Sequence, residues 1–317
     1  MAVTETLQAG DFILQELLGS IGRTALTVLS GQNLNAGAVL GRVKLGIGRV
    51  SIPTVTGTGN GTATLVFAGP DVEVGTYRLL CTAAASHGGV FSLTTPGGKA
   101  LPTFTMTGGT GATTAYTSRH INFSITDGST DFIVGDYFDF VVSTTVPTVI
   151  GGTGTGVLSA LSLGPDAKPG RYKINNDVVV ANGGDMSVIG PDGAMVGGRF
   201  IWSASGSTAS FTSRQINFTI SDATDYIANN YFDVCVFNQL NGGKAVAWDP
   251  TTFDGRHRVA GILFDAVDAS AADKTGVAVT TQAIVRKAAL SWGAAISAAE
   301  KDSAYKEMLA LGILARD

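Results

Sequence analysis

Charge is scarce in this 317-residue chain: 15% of its residues are Asp, Glu, Lys or Arg, against about 25% in an ordinary soluble domain. The 21 basic residues are outnumbered by 25 acidic ones. A nucleic-acid partner, which calls for clustered Lys and Arg, is therefore not expected. Two cysteines cannot build a disulfide framework, and three histidines without HxH or HxxxH spacing make no zinc motif. Cys81 follows Tyr77 and Leu79 at period two, and Cys235 lies in the β-like run 231–237, so both read as buried free thiols. No apolar run approaches the roughly 20 residues that cross a bilayer. The N-terminus lacks the basic start and apolar core of a signal peptide, so a soluble protein without a membrane partner is expected.

Catalytic signatures are missing as well. There is no GxSxG elbow before a helix and no evident Cys–His pair. The glycine runs Gly57–Gly61 and Gly152–Gly156 are followed by neither Lys-Ser/Thr nor a helix, so they read as linkers rather than phosphate loops. One acidic group stands out: Asp127, Asp131, Asp136 and Asp139, partly echoed by Asp222, Asp225 and Asp233. Carboxylates on a turn suit calcium, yet no D-x-D-x-D-G loop occurs, and Asp is common in turns for its own hydrogen bonding. The expectation is no metal, no cofactor, no catalytic residues and no enzymatic activity.

What is present is a duplication. TGNGTATLVFAGPDVEVGTYRL at 58–79 matches TGTGVLSALSLGPDAKPGRYKI at 153–174, and TSRHINFSIT at 117–126 matches TSRQINFTIS at 212–221, both at an offset of 95 residues. Each copy closes on Tyr-Phe-Asp, at Tyr137–Asp139 and Tyr231–Asp233. Ile121, Phe123 and Ile125 alternate with polar residues, as do Ile216, Phe218 and Ile220, which is the signature of strands with one buried face. Gly-Pro-Asp, Pro-Gly-Gly and Asp-Gly turns separate them. The spacing predicts two tandem β-sandwich domains, 57–143 and 152–238.

Outside the duplication, Thr24–Leu29 reads as a strand. Val39–Leu45 and Lys244–Asp249 read as two strands of a hairpin whose turn has received nearly two hundred residues, an insertion that loop-closure entropy tolerates. Ser297 and Glu300 have capping-box spacing, with Tyr305, Met308 and Leu309 as the apolar face of a helix and Gly312 as its stop.

The flanks carry a resemblance. Gly31–Gly41 (GQNLNAGAVLG), Lys244–Leu263 (KAVAWDPTTFDGRHRVAGIL), Ala289–Trp292 and the early Gly10–Leu14 resemble the head decoration proteins of lambda-like tailed phages. The run W-D-P-T-T-x-D-G followed by A-G-I-L is the specific part. The likeness covers roughly 1–50 and 240–317, and short members of the family lack 51–239. It implies a mostly β architecture with a small, split α+β domain (16–50 with 240–317) carrying the two repeats, preceded by a capsid-binding arm at 1–15. It further implies a homotrimer on the outer surface of the virion capsid, at three-fold and quasi-three-fold sites, cementing the major capsid protein after expansion. Thr4, Leu7, Asp11, Phe12, Ile13 and Leu14 are the arm's candidate contacts, with Phe12, Ile13 and Leu14 as anchors or, alternatively, as cover for the domain's own core. Trp248, Asp249, Pro250, Asp254, Gly255, Gly261 and Trp292 are the candidate structural motif. From the repeats themselves a second reading arises, adhesion to carbohydrate or a host surface. Trp202 is the one tryptophan that could serve there as a sugar platform.

Overall fold

The computed structural model describes the chain except residues 1–7, 17–21, 146–148, 151–155, 181–182, 204–207, 222–229, 239–242 and 294–295. It is mostly β and divides into two units, Met1–Lys44 with Asn241–Asp317, and Leu45–Leu240.

The first unit is built from the flanks. Val39–Val43 pairs antiparallel with Lys244–Ala247, Val43 opposite Lys244 and Leu40 opposite Ala247. These two strands, with Arg23–Val28, Gly261–Leu263 and Lys274–Val279, close a five-stranded barrel. Leu26, Val28, Leu40, Ala245, Leu263 and Ala278 fill it. Beside it lies a three-stranded sheet in the order Ile13–Glu16, Ala283–Arg286, Ile313–Arg316, packed with the helix Ala298–Ala310. The helix starts as its sequence requires. Ser297 Oγ accepts from the Glu300 N–H while the Glu300 carboxylate accepts from the Ser297 N–H, satisfying two otherwise orphaned donors. Its buried face consists of Ala304 and Met308 with Tyr305 partly buried, whereas Leu309, assigned to that face by spacing, is exposed. One residue beyond Met308 turns the side chain by about 100°, off the packed stripe.

The second unit holds both repeats. One long sheet runs Ala100–Met106, Gly88–Thr94, Gly75–Ala85, Tyr137–Ser143, Leu45–Val50, Tyr231–Asn238, Gly170–Val180, Gly183–Ile189, Phe200–Ser203. Two three-stranded sheets accompany it: Thr113–Tyr116, Ile121–Thr126 and Thr62–Ala68 in repeat 1, and Val157–Leu163, Ile216–Ser221 and Thr208–Phe211 in repeat 2. The alternation seen in the sequence becomes the core. Phe123 stacks on Phe140 of the long sheet at 4.7 Å and on Tyr116 at 4.9 Å, with Phe104 edge-on at 5.4 Å. In repeat 2, Phe218 meets Phe200 at 5.8 Å and Phe211 at 5.1 Å. Both cysteines are buried and unbridged.

Leu45–Val50, which the sequence groups with the flanks, lies between the two repeats. Cys235 pairs with Gly48 on one side and Val142 with Val50 on the other. The two repeats thus share a single sheet through the strand that precedes them.

Candidate functional site

The segments that carry the family resemblance converge in one core. Trp248 is 3% exposed and shares a cluster with Phe12, Val39, Val259, Ile262 and Leu290. Its indole N–H donates to the His257 carbonyl at 3.0 Å. Trp292 packs edge-on against it at 5.9 Å and against Tyr305 of the helix at 5.7 Å. A tryptophan that is buried and hydrogen-bonded in this way contributes both packing area and orientation.

The turn after Trp248 is a chain of local hydrogen bonds. Asp249 accepts from the Thr251 N–H and from the Thr251 and Thr252 hydroxyls at 2.7–2.9 Å. Burial opposes its ionisation, but these donors and the nearby Arg256 outweigh burial and hold its carboxyl below the usual range. Pro250 follows within the turn. Asp254 receives the Arg256 guanidinium at 2.8–3.1 Å, and its carbonyl accepts from the Lys44 N–H. Gly255 has φ of +114°, and a Cβ there would sit 2.6 Å from the Arg42 carbonyl oxygen, so only glycine fits. Gly261 opens the barrel strand Gly261–Leu263. An open groove beside Gly255 is lined by Arg42, Lys44 and Arg258 with Val259 and Leu311. The basic side chains of this groove stand far apart in the sequence, Arg42 and Lys44 on one flank and Arg258 on the other, with no run of charge to mark them.

Of the expected arm contacts, Thr4 and Leu7 lie outside the described residues. From Gln8 onward the chain is tied down: the Gln8 N–H donates to Asp11 at 2.7 Å and the Gly10 N–H to the Phe264 carbonyl at 3.1 Å. Phe12 is 1% exposed and packs in the unit's own core. Ile13 is partly buried and pairs with Val285, while Leu14 remains 44% exposed. The strand Ile13–Glu16 is an outer strand of its sheet.

The acidic group in repeat 1 separates into three roles. Asp139 is ion-paired with Arg78 at 2.7 Å. Asp136 is buried and accepts the backbone N–H groups of Thr58, Gly59 and Ile133 at 2.9–3.0 Å. A Cβ on Gly57 would lie 1.9 Å from its carboxylate. The glycine-rich entry is therefore shaped to wrap a carboxylate, not a phosphate. Asp127 and Asp131 instead meet His87, with one donor atom from each lying within 4.8 Å of the others. In repeat 2, Asp233 pairs with Arg171, while Asp222 and Asp225 lie outside the described residues. The side chain of Trp202 lies outside them too.

Among the described residues no helix is long and apolar enough to cross a membrane. Comparison with curated proteins and with solved structures gave no match. A family model, the bacteriophage lambda head decoration protein D, matches residues 2–313. That match runs from the first flank to the last. The family's role is structural, decoration of the phage capsid exterior, with the capsid as binding partner. This chain belongs to the bacteriophage lambda head decoration protein D family.

Proposed function

We propose that the protein is a homotrimer on the outer surface of the expanded phage head, seated at three-fold and quasi-three-fold positions, where it binds the major capsid protein and stabilises the shell. The inserted repeats face outward. Its mechanism is binding, not catalysis. Contacts from each trimer fall on several capsid subunits, so individually weak contacts add through effective concentration.

The observation that carries this reading is the core around Trp248, which unites Phe12, Val39, Val259, Ile262, Leu290 and Trp292 from all four resembling segments. The arm is limited to residues ahead of Phe12 together with Leu14. An outer strand at Ile13–Glu16 supports extension of a capsid-protein sheet by strand addition.

Co-sedimentation with expanded, undecorated heads tests it, using the full chain, a variant lacking residues 2–7 and a Leu14→Asp variant. Deleting 2–7 removes Thr4 and Leu7 while leaving Phe12 in the core. Saturable binding in multiples of three, weakened at least tenfold by the deletion, is the expected result. Binding that survives both changes moves the anchor into the folded unit, and absence of binding by the full chain overturns the proposal.

A further inference from the structure

We propose that His87, Asp127 and Asp131 form a binding site for a divalent transition ion of the zinc class at one end of repeat 1. Three elements separated in sequence meet here. Ala85 pairs with Gly88, so Ser86 and His87 form a two-residue hairpin turn with His87 at φ +56°. Asp127 ends the strand Ile121–Thr126, its N–H bonded to the Ala112 carbonyl at 2.8 Å and its carbonyl accepting from Gly111 at 3.1 Å. Asp131 accepts the His87 backbone N–H at 2.9 Å. The loop joining Asp127 to the next strand is pinned again at Asp136, whose backbone binds Cys81 at 2.8 Å. The donors are thus held by backbone and not by long mobile side chains.

The distances suit one ion. His87 Nδ1 lies 3.1 Å from Asp127 Oδ2 and 3.6 Å from Asp131 Oδ1. Ligands at about 2.0–2.1 Å from a tetrahedral ion are separated by about 3.3–3.4 Å, so these spacings bracket an edge of such a site. The Thr110 hydroxyl is 3.3 Å from the same nitrogen, near enough to hold a metal-bound water.

A second observation points to a ligand independently. The Asp127 side chain is 0% exposed, and its Oδ1 has no hydrogen-bond partner. A carboxylate oxygen buried without a partner is costly, and an ion bound through both oxygens of Asp127 accounts for it. One imidazole nitrogen with two carboxylates selects zinc or a similar ion over calcium, which takes oxygen ligands only. Binding replaces the hydrogen bond between His87 Nδ1 and Asp127 Oδ2, with the neutral imidazole carrying its proton on Nε2, and the ion then clamps the hairpin tip to the 127–136 loop. By sequence the site belongs to repeat 1 alone, because Asn182 stands at the position of His87.

The test is calorimetric titration of the EDTA-stripped full chain with zinc chloride, beside calcium and magnesium chloride, in wild type, His87→Asn and Asp131→Asn. One zinc per chain is expected, weakened at least tenfold in both variants, with no calcium binding and a zinc-dependent rise in melting temperature only in wild type. His87→Asn should fold, since Asn tolerates positive φ, and Asp131→Asn provides a second reading that does not alter the turn. Absence of saturable zinc binding, zinc binding that both variants retain, or binding of calcium alone overturns the proposal.

Discussion

The two repeats are one design kept and altered in different places. Ser118 and Ser213 make the same turn: each hydroxyl donates to the carbonyl three residues on at 2.7 Å and accepts from the backbone N–H groups two and three residues on. Arg119 pairs with Asp71 as Arg214 pairs with Asp166. What has changed is apolar filling and charge register. Phe140 is replaced by Val234, and the guanidinium paired with the strand aspartate comes from Arg78 in repeat 1 but from Arg171, two residues earlier in the motif, in repeat 2. Arg171 also lies over the Phe67 ring at 4.5 Å, joining repeat 2 to repeat 1. Polar groups that satisfy backbone at a turn have no cheap substitute once buried, whereas apolar volume is readily refilled. The polar residues of this turn are therefore retained, beside the alternating Ile121, Phe123 and Ile125, which recur as Ile216, Phe218 and Ile220.

The largest test of that comparison is in the aromatic core. Phe123→Ala removes a ring stacked on two others and should lower stability by about 3–5 kcal/mol, read from the guanidinium midpoint. Phe218→Ala should cost about 1 kcal/mol less, because Val234 leaves it without the stacking that Phe140 gives Phe123. Equal losses would show that the extra ring contributes volume only.

Next comes the entry loop. Asp136→Ala leaves the N–H groups of Thr58, Gly59 and Ile133 without their acceptor, an expected loss of about 2–4 kcal/mol. Burial works to raise the Asp136 pKa, but the three donors outweigh it and the native value lies below the usual range. The native state therefore binds fewer protons than the unfolded one. The stabilisation is complete above about pH 4 and is lost as pH falls through the native pKa. Repeat 2 carries Asn230 at this position. Asp136→Asn should flatten this part of the acid limb in a pH series of unfolding midpoints, and an unchanged acid limb would remove Asp136 as its source.

Much of this fold is legible in the sequence because its signals are local or self-referring. Alternation at 121–126 and 216–221, the capping box at Ser297 and the offset of 95 all read directly. The pairing of Val43 with Lys244 followed once the insertion was recognised. Other features depend on topology. Gly46 and Gly48 give Leu45–Val50 no alternation to show that it serves both repeats. The Asp-Phe-Ile-Leu run has the same composition whether it covers its own core or a partner, and only packing places Phe12 inside. His87 is 40 residues from Asp127, and four similar aspartates concealed three distinct roles.

The smallest predicted effect separates a histidine that serves by shape from one that serves by chemistry. The Tyr77 hydroxyl accepts the Glu73 N–H at 2.9 Å and lies 3.3 Å from His120 Nδ1. In repeat 2 the Tyr172 hydroxyl accepts the Lys168 N–H and donates to Gln215 Oε1, each at 3.0 Å. Burial pushes both phenols above their usual range, so each keeps its proton to donate. The Nε2-protonated tautomer of His120 offers Tyr77 the acceptor that Gln215 offers Tyr172. Gln offers the same acceptor, so His120→Gln should leave the unfolding midpoint unchanged. His120→Leu removes the acceptor from the hydroxyl of a buried tyrosine and should cost about 1 kcal/mol. If Gln proves as harmful as Leu, the imidazole has a task in repeat 1 that repeat 2 does not share. If Leu proves as harmless as Gln, water serves the phenol equally well, and retention of a polar residue there reflects the turn rather than the tyrosine.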